Sequence, residues 1–234
     1  MRKIKLLVVV ILTLTIASCE DESGEYARRI FKNSELNTAY KDCLKVSLDT
    51  AKAHLFVENG FYDYHDEAYR IELPTSAHFI VDTLNHHGQG DSITSLILKM
   101  NRAAEHCGDK VKIAFGASIT NLNFSNYTAL LNGPNNAITS YFKTNSYASL
   151  SEILNVTVQS ELQSTGAIIL WNQVLNSYYQ YNPQAVSIDL TRSVTEQMLN
   201  GVFAEMEIEE IKIRTIPEYR VTKALDTVFA VLDK

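Results

Sequence analysis

Apolar residues return every three or four positions along most of the chain. In residues 36–55, Tyr40, Leu44, Leu48, Ala51 and Leu55 recur at steps of four, four, three and four, which is one apolar face of a helix. The stretch "NGFYDYHDEAYRIELP" (59–74) has no such period and contains Asn59-Gly60 and Pro74. It reads as a loop with a short extended piece. A helix is predicted from about Thr75 to Asn85, closed by "HHGQG". Asp91 then suits the N-cap of a helix running to about Cys107, with Gly108 as its stop.

Further along, "LLNGPNNA" (130–137) reads as a junction in which Gly133 ends one helix and Pro134 begins the next. Ser149 with Glu152, and Ser193 with Glu196, both have capping-box spacing. Pro217 opens a last helix carrying Val221, Ala224, Leu225, Val228 and Leu232 on one face. No window alternates with period two and no repeat is visible. The expectation is an all-α, multi-helix, bundle-like single domain over residues 35–234.

The amino terminus has a different pattern. Arg2, Lys3 and Lys5 precede a 13-residue apolar stretch, Leu6 to Ser18, short of the roughly 20 residues of a membrane-spanning helix. It fits the apolar region of a secretory signal. The end, Ile16-Ala17-Ser18-Cys19, resembles a bacterial lipobox: a branched residue, two small ones, then the cysteine whose thiol accepts the lipid. Residues 1–18 are therefore expected to be a lipoprotein signal peptide, with Cys19 lipidated. An ordinary signal with an incidental cysteine is the plainer alternative. Residues 19–34 follow as a tether, opened by Glu20, Asp21 and Glu22. That acidic tract either resembles an export signal to the cell surface or is a solvated spacer, since like charges keep a chain extended. The implied place is the bacterial cell envelope: the outer membrane, its periplasmic face or the cell surface.

Charge changes the picture further. The 234 residues include 21 basic and 27 acidic side chains. Removing residues 1–18 leaves 216 residues with 18 basic and 27 acidic, a balance of −9. Such a surface argues against nucleic acid, whose binding needs Lys and Arg on phosphates. It also argues against a peripheral grip on anionic lipid, so the membrane partner is reached through the N-terminal lipid. Cys43 and Cys107 lie on apolar stripes and read as small buried hydrophobes, with a disulfide as the alternative that an oxidising envelope permits.

Three segments, "LKMNRAAE" (98–105), "ALLNGPNNAITSYF" (129–142) and "VTEQMLNGVFAEMEIEEIKIRTIPEYRVTKALDTVF" (194–229), resemble the family of unknown function DUF4197. The resemblance extends over most of residues 36–230. It implies a helical domain and an envelope location, with no established activity. Asn135 and Asn136 stand where acids are usual, and Ile208 interrupts a usual run of three glutamates; both departures weaken any carboxylate cluster there.

The chemistry in these segments has two readings each. With Met100 at the centre of its helix face, Ile93, Leu96, Ile97, Ala103, Ala104, Cys107 and Val111 form a core stripe. Arg102 and Glu105 point away from it, close enough to pair, with Asn101 on the flank and Leu98 on the polar side. Either a second helix layer covers that face, or a partner does. In "EMEIEEIKIR" (205–214), neighbouring acids suggest an acid/base pair or a cation site. Yet Glu209 has Lys212 three residues on and Glu210 has Arg214 four residues on, the spacings of helix-surface ion pairs.

"HHGQGD" (86–91) and "EHC" (105–107) hold ligand-type residues at no metal-site spacing, so no metal and no cofactor is assigned. In "SYYQYNP" (177–183), Tyr178, Tyr179 and Tyr181 either offer an aromatic contact or close the end of a core. No nucleophile elbow or phosphate loop occurs, so no catalytic residue is named. The expected role is a non-catalytic one: binding an unknown protein or small-molecule partner, or supporting the envelope. The rivals are a hydrolase-like enzyme, which needs converging titratable groups, and a carrier of lipid or another apolar ligand, which needs an apolar pocket between helices.

Overall fold

The computed structural model describes residues 31–64 and 67–233. The signal peptide, Cys19 and the acidic residues after it lie outside the described residues. Among those described there are nine α-helices, joined by short 3-10 turns, and no strand: α1 (Asn33–Leu55), α2 (His78–His86), α3 (Gly90–Glu105), α4 (Gly108–Asn121), α5 (Tyr127–Leu131), α6 (Ala137–Ser164), α7 (Ala167–Tyr179), α8 (Leu190–Thr215) and α9 (Lys223–Phe229). The fold is all-α, as the periodicity predicts. Among the described residues, no helix is long and apolar enough to cross a membrane.

The 26-residue α8 is the axis of the domain, with α1 packed along one side and α6 along the other. Its stripe of Val194, Met198, Val202, Met206 and Ile213 is buried, the spacing of a core-facing helix. Where α4, α6 and α8 meet, Phe115, Phe142 and Phe203 form an aromatic triangle with ring centroids 5.3–5.8 Å apart. Those separations suit tilted and edge-to-face aromatic packing. Gly201 lets a loop ring approach α8 closely: a Cβ there would lie 3.1 Å from Cε1 of Phe61.

Several predicted helix ends are corrected. Ser149 lies in the middle of α6, because the stripe of Phe142, Leu150, Leu154 and Val158 runs straight past it. Asp189, not Ser193, caps α8 by accepting from the amide of Arg192 at 2.9 Å. Asp91 sits in the first turn of α3, with Gln89 at the cap position. Gly108 starts α4 instead of merely ending α3. After Pro217 the chain makes a 3-10 turn; the last helix begins at Lys223 behind Thr222, whose hydroxyl accepts from the amide of Leu225 at 3.2 Å. Pro217 still ends the preceding helix, since it has no N–H to continue the ladder.

Cys43 and Cys107 are both buried and unbridged. Burial pushes the Cys107 thiol up to about 12 and that of Cys43 well above its ordinary value. Both therefore stay as thiols packed like small apolar groups.

Candidate functional site

The polar face of α3 is covered, and by a loop instead of a helix layer. Asn101 is fully buried. Its Oδ1 accepts from the amide of Ile71 at 2.9 Å, and its Nδ2 donates to the Ile71 carbonyl at 2.8 Å. Gln197 on α8 treats the next residue in the same way, accepting from the Glu72 amide at 3.0 Å and donating to its carbonyl at 2.8 Å. Two side-chain amides thus replace the missing neighbour strand for this extended piece, and Asn101 satisfies the Ile71 backbone groups that burial would otherwise strand. Alternate residues Ile71 and Leu73 point into the core.

Arg102 and Glu105 hold the start of the same loop. The Arg102 Nη1 lies 2.6 Å from Oε2 of Glu105, while Nη2 donates to Oδ1 of Asn59 at 2.7 Å. The other oxygen of Glu105 accepts from the amide of Phe61 at 3.3 Å. Gly60, between these anchors, has no room for a Cβ, which would strike the carbonyls of His54 and Leu55.

The acidic run on α8 is not the solvated face its spacing suggests. The side chains of Glu210 and Arg214 are 0% and 1% exposed, with Oε1 and Nε 2.8 Å apart. Glu210 accepts from the amides of Ile138 at 3.0 Å and Thr139 at 2.6 Å, at the start of α6. Arg214 donates to the carbonyls of Leu131 at 3.0 Å and Leu130 at 2.9 Å, at the end of α5. The surface reading fails because α8 is enclosed by α1 and α6, so this turn of it faces protein. Burial pushes the Glu210 carboxyl above the ordinary carboxylate range, although Arg214 and the two amides oppose the shift. Glu209 is also buried, with Nζ of the half-buried Lys212 3.3 Å from its carboxylate.

Arg220 was not singled out from sequence. It closes the far end of α8, donating to the carbonyls of Ile213 at 3.0 Å and Arg214 at 3.1 Å, and grips Asp233 with both terminal nitrogens.

The rings of Tyr178 and Tyr179 pack edge-on at 5.9 Å, whereas Tyr181 stacks elsewhere. Tyr178 is buried and packs edge-on to Phe79 at 5.4 Å. The hydroxyl of half-buried Tyr179 accepts from the amide of Val186 at 3.2 Å. Tyr181 is exposed and stacks on His87 at 3.7 Å. The three do not present one aromatic surface.

Sequence reasoning also missed His54 and Glu205. Nδ1 of His54 lies 2.9 Å from Oε2 of Glu205, which is 2% exposed, while its Oε1 has no hydrogen-bond partner. The Tyr69 hydroxyl also bonds this carboxylate, and Tyr64 packs on the imidazole at 5.2 Å. The available signal was an acid at a core position of α8, one turn before Glu209. A carboxylate holding Nδ1 leaves Nε2 as the reactive nitrogen of a general base. The described residues do not gather three or more metal-ligating side chains.

A groove of about 660 Å³ lies open between α4 and α6. The helices run antiparallel: His106 and Glu161 approach to 3.5 Å at one end, and Tyr141 donates to the Asn123 carbonyl at 2.9 Å at the other. Leu122, Leu150 and Leu154 form its buried floor. Its size falls in the range of ligand clefts.

The family model "Protein of unknown function (DUF4197)" matches residues 31–230. The chain belongs to this family. Within it, the segments around residues 129–142 and 205–220 are brought together by Glu210 and Arg214, so two of the DUF4197-like motifs lock one another. No curated protein and no solved structure matches the chain.

Proposed function

We propose that this DUF4197 protein is a lipid-anchored module of the bacterial cell envelope that acts by binding instead of catalysis, with the α4–α6 groove as its binding surface. The observation that carries the reading is where the ionisable side chains of the family-like segments go. Arg102, Glu105, Glu210, Arg214 and Arg220 all hold backbone groups or one another inside the fold. They are committed to architecture, and none of them lines the α4–α6 groove. The anchor is supported by the basic start, the short apolar run and Ile16-Ala17-Ser18-Cys19. It places the domain at the outer membrane, on its periplasmic face or at the cell surface.

A second reading, catalysis at His54, is favoured by the Glu205 carboxylate on its Nδ1. One comparison separates the two. Wild type, Cys19→Ala, Ala117→Trp and His54→Gln are expressed in the native host with radiolabelled palmitate, then purified gently for native mass spectrometry. The expected result is label in all but Cys19→Ala, and a co-purifying species lost only from Ala117→Trp. Label on Cys19→Ala would overturn the anchor. A turnover abolished by His54→Gln would overturn the non-catalytic reading.

A further inference from the structure

We propose that the α4–α6 groove binds a long-chain fatty acid, its carboxylate at Lys110 and its chain running toward Asn123. This names the ligand class for the binding reading above and rests on it.

Charge gives the groove a direction. In a chain of net charge −6, the only ionisable residue lining it is Lys110. Lys110 enters no ion pair among the described residues, and the neighbouring Asp109 is 2.7 Å from Lys52. The opposite end is made by the amides of Asn121, Asn123 and Asn145, which carry no charge. An acid with one anionic end matches that polarity; a cationic or doubly charged ligand does not.

The dimensions match a single chain. From Lys110 to Asn121 the groove wall is about 17 Å long at 1.5 Å per residue. A lipid chain spans about 15 Å, half of the roughly 30 Å hydrocarbon core of a bilayer. On α4 the wall is cut low by Ala114 and Ala117, whereas Ile113 and Ile153, 67% and 58% exposed, flank the opening. A seated chain covers this unburied apolar surface.

The test uses the full lipidated protein in phosphatidylcholine nanodiscs with a photoreactive palmitate, the cross-linked peptides being mapped by mass spectrometry. Cross-links are expected in residues 110–123 and 145–157. Lys110→Glu should cut them roughly fivefold, the scale of losing an exposed ion pair. Ala117→Trp, at an exposed position, should abolish them without lowering the melting temperature. Labelling without preference for the two segments overturns the proposal, as does equal labelling by a photoreactive alkyl trimethylammonium. If palmitate fails while another species co-purifies and is lost from Ala117→Trp, the fatty acid is wrong and the binding module stands. If turnover at His54 is found instead, the parent reading falls.

Discussion

Glu210 and Arg214, one helical turn apart on α8, reach opposite sides of one turn more than 70 residues away in sequence. Glu210 takes the amides of Ile138 and Thr139, and Arg214 takes the carbonyls of Leu130 and Leu131. Each charge meets the helix terminus of opposite partial sign: the carboxylate the start of α6, the guanidinium the end of α5. The pair therefore fixes the path of the chain between those helices.

Breaking it should be costly. Glu210→Gln leaves Arg214 buried without its counter-ion, and removing one partner of a buried pair costs about 3–5 kcal/mol. Differential scanning calorimetry should register this as a fall of roughly 10 °C, at about 2–4 °C per kcal/mol for a domain of this size. Replacing both residues by Met often spares a buried ion pair. Here it should not, because the amides of Ile138 and Thr139 and the carbonyls of Leu130 and Leu131 also lose their partners. A double variant as stable as wild type would show that the turn holds itself.

The loop clamp makes a different demand. Asn101→Ala removes three hydrogen bonds, to the Ile71 amide and carbonyl and to the Ile97 carbonyl. Stranding the two buried groups of Ile71 costs about 1–3 kcal/mol each. Since the loop has no helix of its own, the loss should appear locally before it appears globally. Limited proteolysis should cut Asn101→Ala between residues 59 and 73 well before wild type. Arg102→Ala should do the same more weakly, because Glu105 still holds the Phe61 amide. Equal cleavage of Asn101→Ala and wild type would mean that Ile71 and Leu73 alone seat the loop.

These clamps explain what periodicity reveals and what it hides. The apolar stripes of α1, α3 and α9 are legible because a 3.6-residue period records an apolar face well. Yet α3 also buries Asn101 and Glu105 on its polar side. Val221, expected on the last stripe, precedes α9 and is exposed. The stripe of α8 is interrupted by Glu205, Glu209 and Glu210 at positions that face protein. Their partners lie far off in the chain, so spacing along one helix finds Lys212 and Arg214 and nothing else. Ser149 with Glu152 has the form of a cap by chance, within a 28-residue helix whose apolar stripe continues through it. Arg102 and Glu105 are legible as a pair, but a period cannot say whether helix, loop or partner covers them. The groove is legible least: Ala114 and Ala117 read as ordinary helix formers, and only the packing of α4 on α6 turns them into a low wall.

The end of the chain offers a test by pH. Arg220 hydrogen-bonds Asp233 at 2.7 and 2.5 Å and holds its carboxyl below the ordinary value of 3.8. A depressed carboxyl binds its proton less readily in the folded state than in the unfolded chain. The pair's contribution is thus complete above the unfolded value and is lost as pH falls through the folded one. The Asp233 side chain is 46% exposed, so solvent screening limits the contribution to about 1 kcal/mol or less. Asp233→Asn should therefore melt about 1–4 °C below wild type near pH 7, and the two curves should converge near pH 2. The difference between the two proteins isolates this pair, because every other titrating group is common to both. A gap that persists undiminished at the acid end would mean that Asp233 acts through packing or its neutral hydrogen bonds and not through its charge.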